Sequence, residues 1–113
     1  MTTTALHGCD QAGTTAQRPS NAPNGFVYYD TTLNMPIVRD ETNAIWRDLL
    51  GRNIAAGVYS YANAGAPTDG TSGTGAAVVA PGCLLIDTTN AKLYINTNTK
   101  ASPLWTVVGA QTT

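Results

Sequence analysis

Gly25-Phe26-Val27-Tyr28-Tyr29-Asp30-Thr31-Thr32 and Gly82-Cys83-Leu84-Leu85-Ile86-Asp87-Thr88-Thr89 are two copies of one pattern in a chain of 113 residues. A Gly leads, four apolar residues follow, and Asp-Thr-Thr closes. Working outward, Ala22-Pro23 and Ala80-Pro81 stand just before the copies, and a second apolar stretch comes after each: Met35-Pro36-Ile37-Val38 and Leu93-Tyr94-Ile95. Then each copy has a Trp, Trp46 and Trp105, and a closing Gly, Gly51 and Gly109. The copies are offset by 57 residues at the leading Gly, 59 at the Trp and 58 at the closing Gly. Self-similarity at a near-constant offset means one supersecondary unit used twice.

One copy reads as a three-stranded meander. Phe26–Tyr29 is a strand. Asp30-Thr31-Thr32-Leu33-Asn34 is a turn, because an Asp side chain accepts from backbone N–H groups just ahead of it and Asn tolerates the left-handed region. Met35–Arg39 returns, Asp40-Glu41-Thr42-Asn43 turns again, and Ala44–Leu50 is the strand with the Trp. The second copy reads Cys83–Ile86, a turn through Asn90, Lys92–Asn96, a polar loop Thr97–Ser102, and Leu104–Val108. Pro36 lacks a backbone donor, so its strand lies at an edge or turns that position outward. Asn43–Leu50 would also make two helical turns capped by Asn43, but the matching PLWTVVG is β-branched and opens on Pro.

The fold expected is therefore all-β: a small antiparallel sandwich or barrel-like domain built from two repeated three-stranded meanders, with an extended N-terminal arm. Residues 1–24 form the flexible arm and 25–113 the β domain, with repeat 1 about 25–51, linker 52–80 and repeat 2 about 82–109. In the linker, Ile54, Val58, Tyr59 and Tyr61 allow one strand, whereas 65–75 (GAPTDGTSGTG) reads as a flexible surface loop.

Composition agrees. Thr supplies 18 residues, Gly 11 and Asn nine, while Lys and Glu together supply three, a mix that favours strands and turns over long helices. Charged residues make up 12%, about half the usual share of ~25%. Net charge is -1 with six Lys and Arg, so there is no basic patch for nucleic acid. The longest apolar run, Ala76–Ala80, is far short of the ~20 residues of a membrane helix. No basic, then apolar, leader opens the chain, so no signal peptide is expected. A single chain this small buries only roughly two thirds of its unfolded surface, which favours an oligomer.

Little here suggests catalysis. The one histidine, His7, stands in the arm near Cys9 without the further ligands a metal needs, and no metal or cofactor is expected. Cys9 and Cys83 read as free thiols, with a Cys9–Cys83 or intersubunit bridge as the alternative. No nucleophile elbow, zinc motif or phosphate loop occurs. Asp30 and Asp87 resemble a glycosidase carboxylate pair, but each fits better as the cap of an Asx turn with its own Thr-Thr. Trp46 and Trp105 read as core anchors. Tyr28, Tyr29, Tyr59, Tyr61 and Tyr94 are candidate interface residues, since Tyr is common at interfaces, and Arg18 is a candidate pin holding the arm to an acidic surface.

The segment GFVYYDTTLNMPIVRDETNAIWRDLLG resembles one common in bacteriophage virion proteins, and PGCLLIDTTNAKLYINTNTKASPLWTVVG resembles its relatives in phage head-fibre, capsid-decoration and tail-fibre proteins. The likeness rests on Gly25, Asp30, Thr31, Thr32 and Trp46 and on Gly82, Asp87, Thr88, Thr89 and Trp105. It covers roughly residues 19–51 and 81–111. It implies a structural virion protein, commonly a homotrimer, without catalysis. The small size favours a capsid decoration (cement) or short head-spike protein on the capsid exterior, made in the host cytoplasm, with the major capsid protein and itself as partners. The alternatives are a tail or neck fibre component, and a carbohydrate-binding module that uses exposed aromatics on a host-surface glycan.

Overall fold

The computed structural model describes residues 11–111. The chain divides at Ala55–Ala56 into two compact units, each with one four-stranded sheet. In the first unit, β1 (Gln11–Gly13), β2 (Val27–Asp30), β3 (Met35–Asp40) and β4 (Ile45–Arg47) lie in that order. In the second, β5 (Val58–Asn63), β6 (Val79–Asp87), β7 (Lys92–Asn96) and β8 (Trp105–Val107) do the same. The sole helix among the described residues is one 3₁₀ turn at Thr15–Gln17. The all-β fold and the two meanders are as expected, and Ile45–Arg47 is a strand rather than a helical turn.

The repeat is longer than its sequence signature. Each meander carries a fourth strand, parallel to its first: β1 on β2 and β5 on β6. Gly13 pairs with Asp30, and Asn63 with Asp87. The next residue closes the strand end in the same way in both units, Thr31 N–H donating to the Gly13 carbonyl at 2.7 Å and Thr88 N–H to that of Asn63 at 2.8 Å.

This changes the expected domain division. Residues 1–10 of the expected flexible arm lie outside the described residues, and residues 11–24 belong to the first sheet unit. Backbone pairing holds β1, and Ala22 joins Tyr28, Ile37, Trp46 and Ile54 in the core. Apolar side chains were not needed to dock most of this segment, because its backbone groups and polar side chains supply the bonds. The expected single domain over 25–113 is two units. The stretch 65–75 is no loose loop either: Gly70 N–H donates to the Pro103 carbonyl, Thr74 N–H to that of Thr68, and the nearby Ala77 N–H to that of Lys100.

Three hairpin turns share one design. Asp30 pairs with Met35, Asp40 with Ile45 and Asp87 with Lys92, with four residues between each pair. The last of the four is left-handed: Asn34 at φ 56°, Ala44 at 56° and Ala91 at 55°. Asn34 was foreseen there; the alanines carry a Cβ that this region disfavours. The leading glycines have a similar reason. Gly25 and Gly82 sit at φ 82° and 84° with nothing within 4 Å of where a Cβ would stand, so the requirement is backbone conformation rather than space.

Pro36 lies on an interior strand, opposite Tyr29. The Arg39 N–H donation to the Phe26 carbonyl sets the alternation along β3 and turns the Pro36 nitrogen away from β2. It faces the side where β4 has already ended, Arg47 opposite Val38 being the last pair, so the missing donor breaks no ladder bond.

Candidate functional site

Asp30 ends β2 and is fully buried. Its Oδ1 accepts from the Thr32 and Leu33 N–H groups at 2.9 and 3.0 Å, folding the turn. Its Oδ2 accepts from Thr15 Oγ1 at 2.8 Å and from Arg18 Nε and Nη2 at 2.9 and 2.7 Å. Burial works against ionisation, but the Thr15 hydroxyl, the Leu33 N–H and Arg18 outweigh it and hold the carboxyl below the usual range.

Asp87 does the same work without a cation. Its Oδ1 accepts from the N–H groups of Gly65, Thr89 and Asn90 at 3.0, 2.9 and 3.1 Å, and its Oδ2 from Asn90 Nδ2 at 2.8 Å. The Asn90 amide leads in lowering its pKa, burial opposing and the three N–H groups adding. The Asp-Thr-Thr signature is thereby accounted for. The Asp folds its own turn and grips the segment that follows the parallel strand. The first Thr ties the strand end through its N–H, and in the first unit Thr32 Oγ1 accepts from Thr15 N–H at 3.2 Å. Both carboxylates are buried, and each of their oxygens accepts at least one hydrogen bond from the chain.

Trp46 and Trp105 are each 8% exposed. Trp46 lies 5.9 Å from Tyr28 between ring centroids, with the Arg39 guanidinium 5.4 Å from its own. Trp105 is tied to the linker instead: its indole N–H donates to the Thr74 carbonyl at 3.0 Å, and its backbone N–H to Asp69 Oδ1 at 2.8 Å. Neither ring is open as a sugar platform.

Two interface candidates are corrected. Tyr28 is 0% exposed, its hydroxyl donating to the Thr14 carbonyl at 2.7 Å; burial, with Asp30 adding, raises its pKa despite Arg18. It points inward because it shares a sheet face with buried Asp30 and Ile37. Arg18, expected to pin the arm to an acidic surface, pairs instead with Asp30 of its own chain. Tyr29, Tyr59, Tyr61 and Tyr94 stay half-buried. Tyr61 and Tyr94 flank Leu85 in one cross-strand row, whereas Tyr29 belongs to the other unit.

Three further polar residues hold turns, of which Asp40 belongs to the turn already expected at residues 40–43 and Asp48 and Asn96 were not expected. Asp40 accepts from Asn43 and Arg47, which lower its pKa. Buried Asp48 accepts from the Leu50 and Arg52 N–H groups at 2.9 Å each and from Arg52 Nε at 2.7 Å, closing a turn that leaves Leu49 and Leu50 exposed. Buried Asn96 donates to the Ala80 and Thr99 carbonyls and accepts from the Asn98 and Leu104 N–H groups, folding the β7–β8 loop. The readable signal is an Asp or Asn at or just after a strand end: Asp40, Asp48 and Asn96.

Among the described residues, no group of three or more His, Cys, Asp or Glu is placed to hold a metal, and no helix is long and apolar enough to cross a membrane. Cys83 is buried, its thiol donating to the Leu84 carbonyl at 3.5 Å; His7 and Cys9 lie outside the described residues. The sheets also have outward sides, and that of the second is strongly apolar: Leu84, Ile86 and Leu104 are all exposed. No family model matches this chain, and neither the curated proteins nor the solved structures contain a significant match to it.

Proposed function

We propose that this chain is a structural protein of a bacteriophage particle, a capsid decoration (cement) or short head-spike protein that sits on the outer capsid surface as a homo-oligomer, with the major capsid protein as its partner. The observation that carries the reading is the repeat. A segment resembling those of phage virion proteins occurs twice, and both copies fold into the same four-stranded unit. Its signature residues are spent on turns and strand ends, which suits a module whose output is shape and surface. The burial of Trp46 and Trp105 disfavours the glycan-binding alternative.

Co-sedimentation of the purified chain with mature, expanded capsids of the encoding phage tests this. Saturable binding to the capsid, with label on the head by immunogold microscopy, is expected. Label confined to the tail or neck, or a chain left entirely in the supernatant, overturns it.

A further inference from the structure

The second sheet has a side that its own unit leaves open. Strand register places Ser60 and Ala62 of β5, Leu84 and Ile86 of β6, Leu93 and Ile95 of β7 and Thr106 of β8 on that side. Leu84 and Ile86 are 44% and 53% exposed, and Leu104, two residues before Thr106, is 46% exposed. None of these positions carries a charge. The solvated side of a meander ordinarily alternates to polar residues. Thr is a good strand former and fills 18 positions of this chain, yet where β6 and β7 pair, all four outward positions are Leu or Ile. Leu93 and Ile95 are half-buried, as are all four equivalent positions of the first sheet, Val27, Tyr29, Pro36 and Val38, so the second sheet differs in the exposure of Leu84 and Ile86.

The charge of this unit indicates what covers the face. From Ala56 onward the charged residues are Asp69, Asp87, Lys92 and Lys100, two of each sign. A unit without net charge lacks the self-repulsion that keeps like molecules apart. An uncharged apolar face offers nothing for a charged partner to read and is complementary to its own image. We propose that this face, centred on Leu84, Ile86, Leu93 and Ile95, is the contact between copies of this chain. The inference names the surface behind the oligomer of the preceding section and rests on that reading.

Size sets the strength. Four strands ~4.8 Å apart over four residues of ~3.3 Å rise give a face of roughly 250 Å². Covering it on two copies hides on the order of 500 Å², below the ~1,200 Å² of a stable specific complex. The purified chain therefore associates reversibly, and the contact fills when copies are held close together on a particle.

Analytical ultracentrifugation of the full chain over about 10 μM to 1 mM tests the proposal, because reversible association depends on concentration. The wild-type mass is expected to climb from the 11.8 kDa of one copy toward that of two, since a face that pairs with its own image closes at a dimer. The L84T/I86T double variant, and separately Ala62→Lys at an exposed position of the same face, should weaken association by about tenfold or more with circular dichroism unchanged. Leu49→Ser/Leu50→Ser, exposed leucines outside the face, should associate as wild type. A wild-type oligomer indifferent to the face variants, or one abolished by the Leu49/Leu50 change, overturns the face while the oligomer stands. A wild-type chain that remains a single copy throughout overturns the face and the free oligomer together. Capsid co-sedimentation is scored separately, so failure of the virion reading is distinguishable from either.

Discussion

Replacing Asp30 by Asn removes one charge and almost no volume, which makes it a sharp probe of what holds the first unit together. The amide oxygen keeps the turn bonds to Thr32 and Leu33. The amide nitrogen now faces Arg18 Nε and Nη2, two donors where an acceptor stood. Thr15 can turn its hydroxyl to accept, so its bond survives in reverse. The loss is the ion pair, in which the Arg18 and Asp30 side chains are 16% and 0% exposed. Removing one partner of a buried pair costs about 3–5 kcal/mol. Arg18 retains a little solvent, so a cost of about 3 kcal/mol is expected, with two to three times less for Asp87→Asn, which strands no cation. Each unit carries one Trp, so urea unfolding followed by fluorescence in a Trp105→Phe background reports the first unit. Arg18→Gln in the same background closes a double-mutant cycle, with a coupling of about 2 kcal/mol expected. A cost under ~0.5 kcal/mol for Asp30→Asn, which is the scatter of ordinary surface changes, or an absent coupling, would refute the view that this pair anchors β1 and its following turn.

Other outcomes follow from the same geometry. Trp46→Ala and Trp105→Ala should each cost roughly 3–5 kcal/mol, measured by urea unfolding; unchanged stability with lost binding would mark a surface role instead. Ala91→Asn, placing at φ 55° the residue type that Asn34 already supplies at φ 56°, should stabilise by about 1 kcal/mol, read as a rise in melting temperature. Acid should destabilise the protein. Asp30, Asp40, Asp48 and Asp87 have folded pKa values below the ordinary one, so their contribution is fully present above about pH 4, the unfolded carboxylate pKa. It is lost as pH falls through the folded values. A melting temperature flat between pH 5 and 3 would contradict this.

The elements that rest on local chemistry are legible in the chain alone. Asp30 and Asp87 cap their turns because the carboxylate reaches N–H groups two and three residues ahead, and a repeated Asp-Thr-Thr displays that directly. Asn34 at a left-handed position, strands on either side and a buried Trp in each copy follow from period, turn chemistry and size. Whatever depends on residues far apart in the chain emerges only on folding. Gln11–Gly13 has no apolar pattern and becomes a strand only because the edge of β2 offers backbone partners. Arg18 finds an acidic partner 12 residues away, in its own chain. The run Cys83-Leu84-Leu85-Ile86 is uniformly apolar, and nothing local says which alternate residues face inward. Pairing in register with β5 and β7 buries Cys83 and Leu85 and turns Leu84 and Ile86 out, because strand side chains alternate and the side that is covered depends on what folds over it.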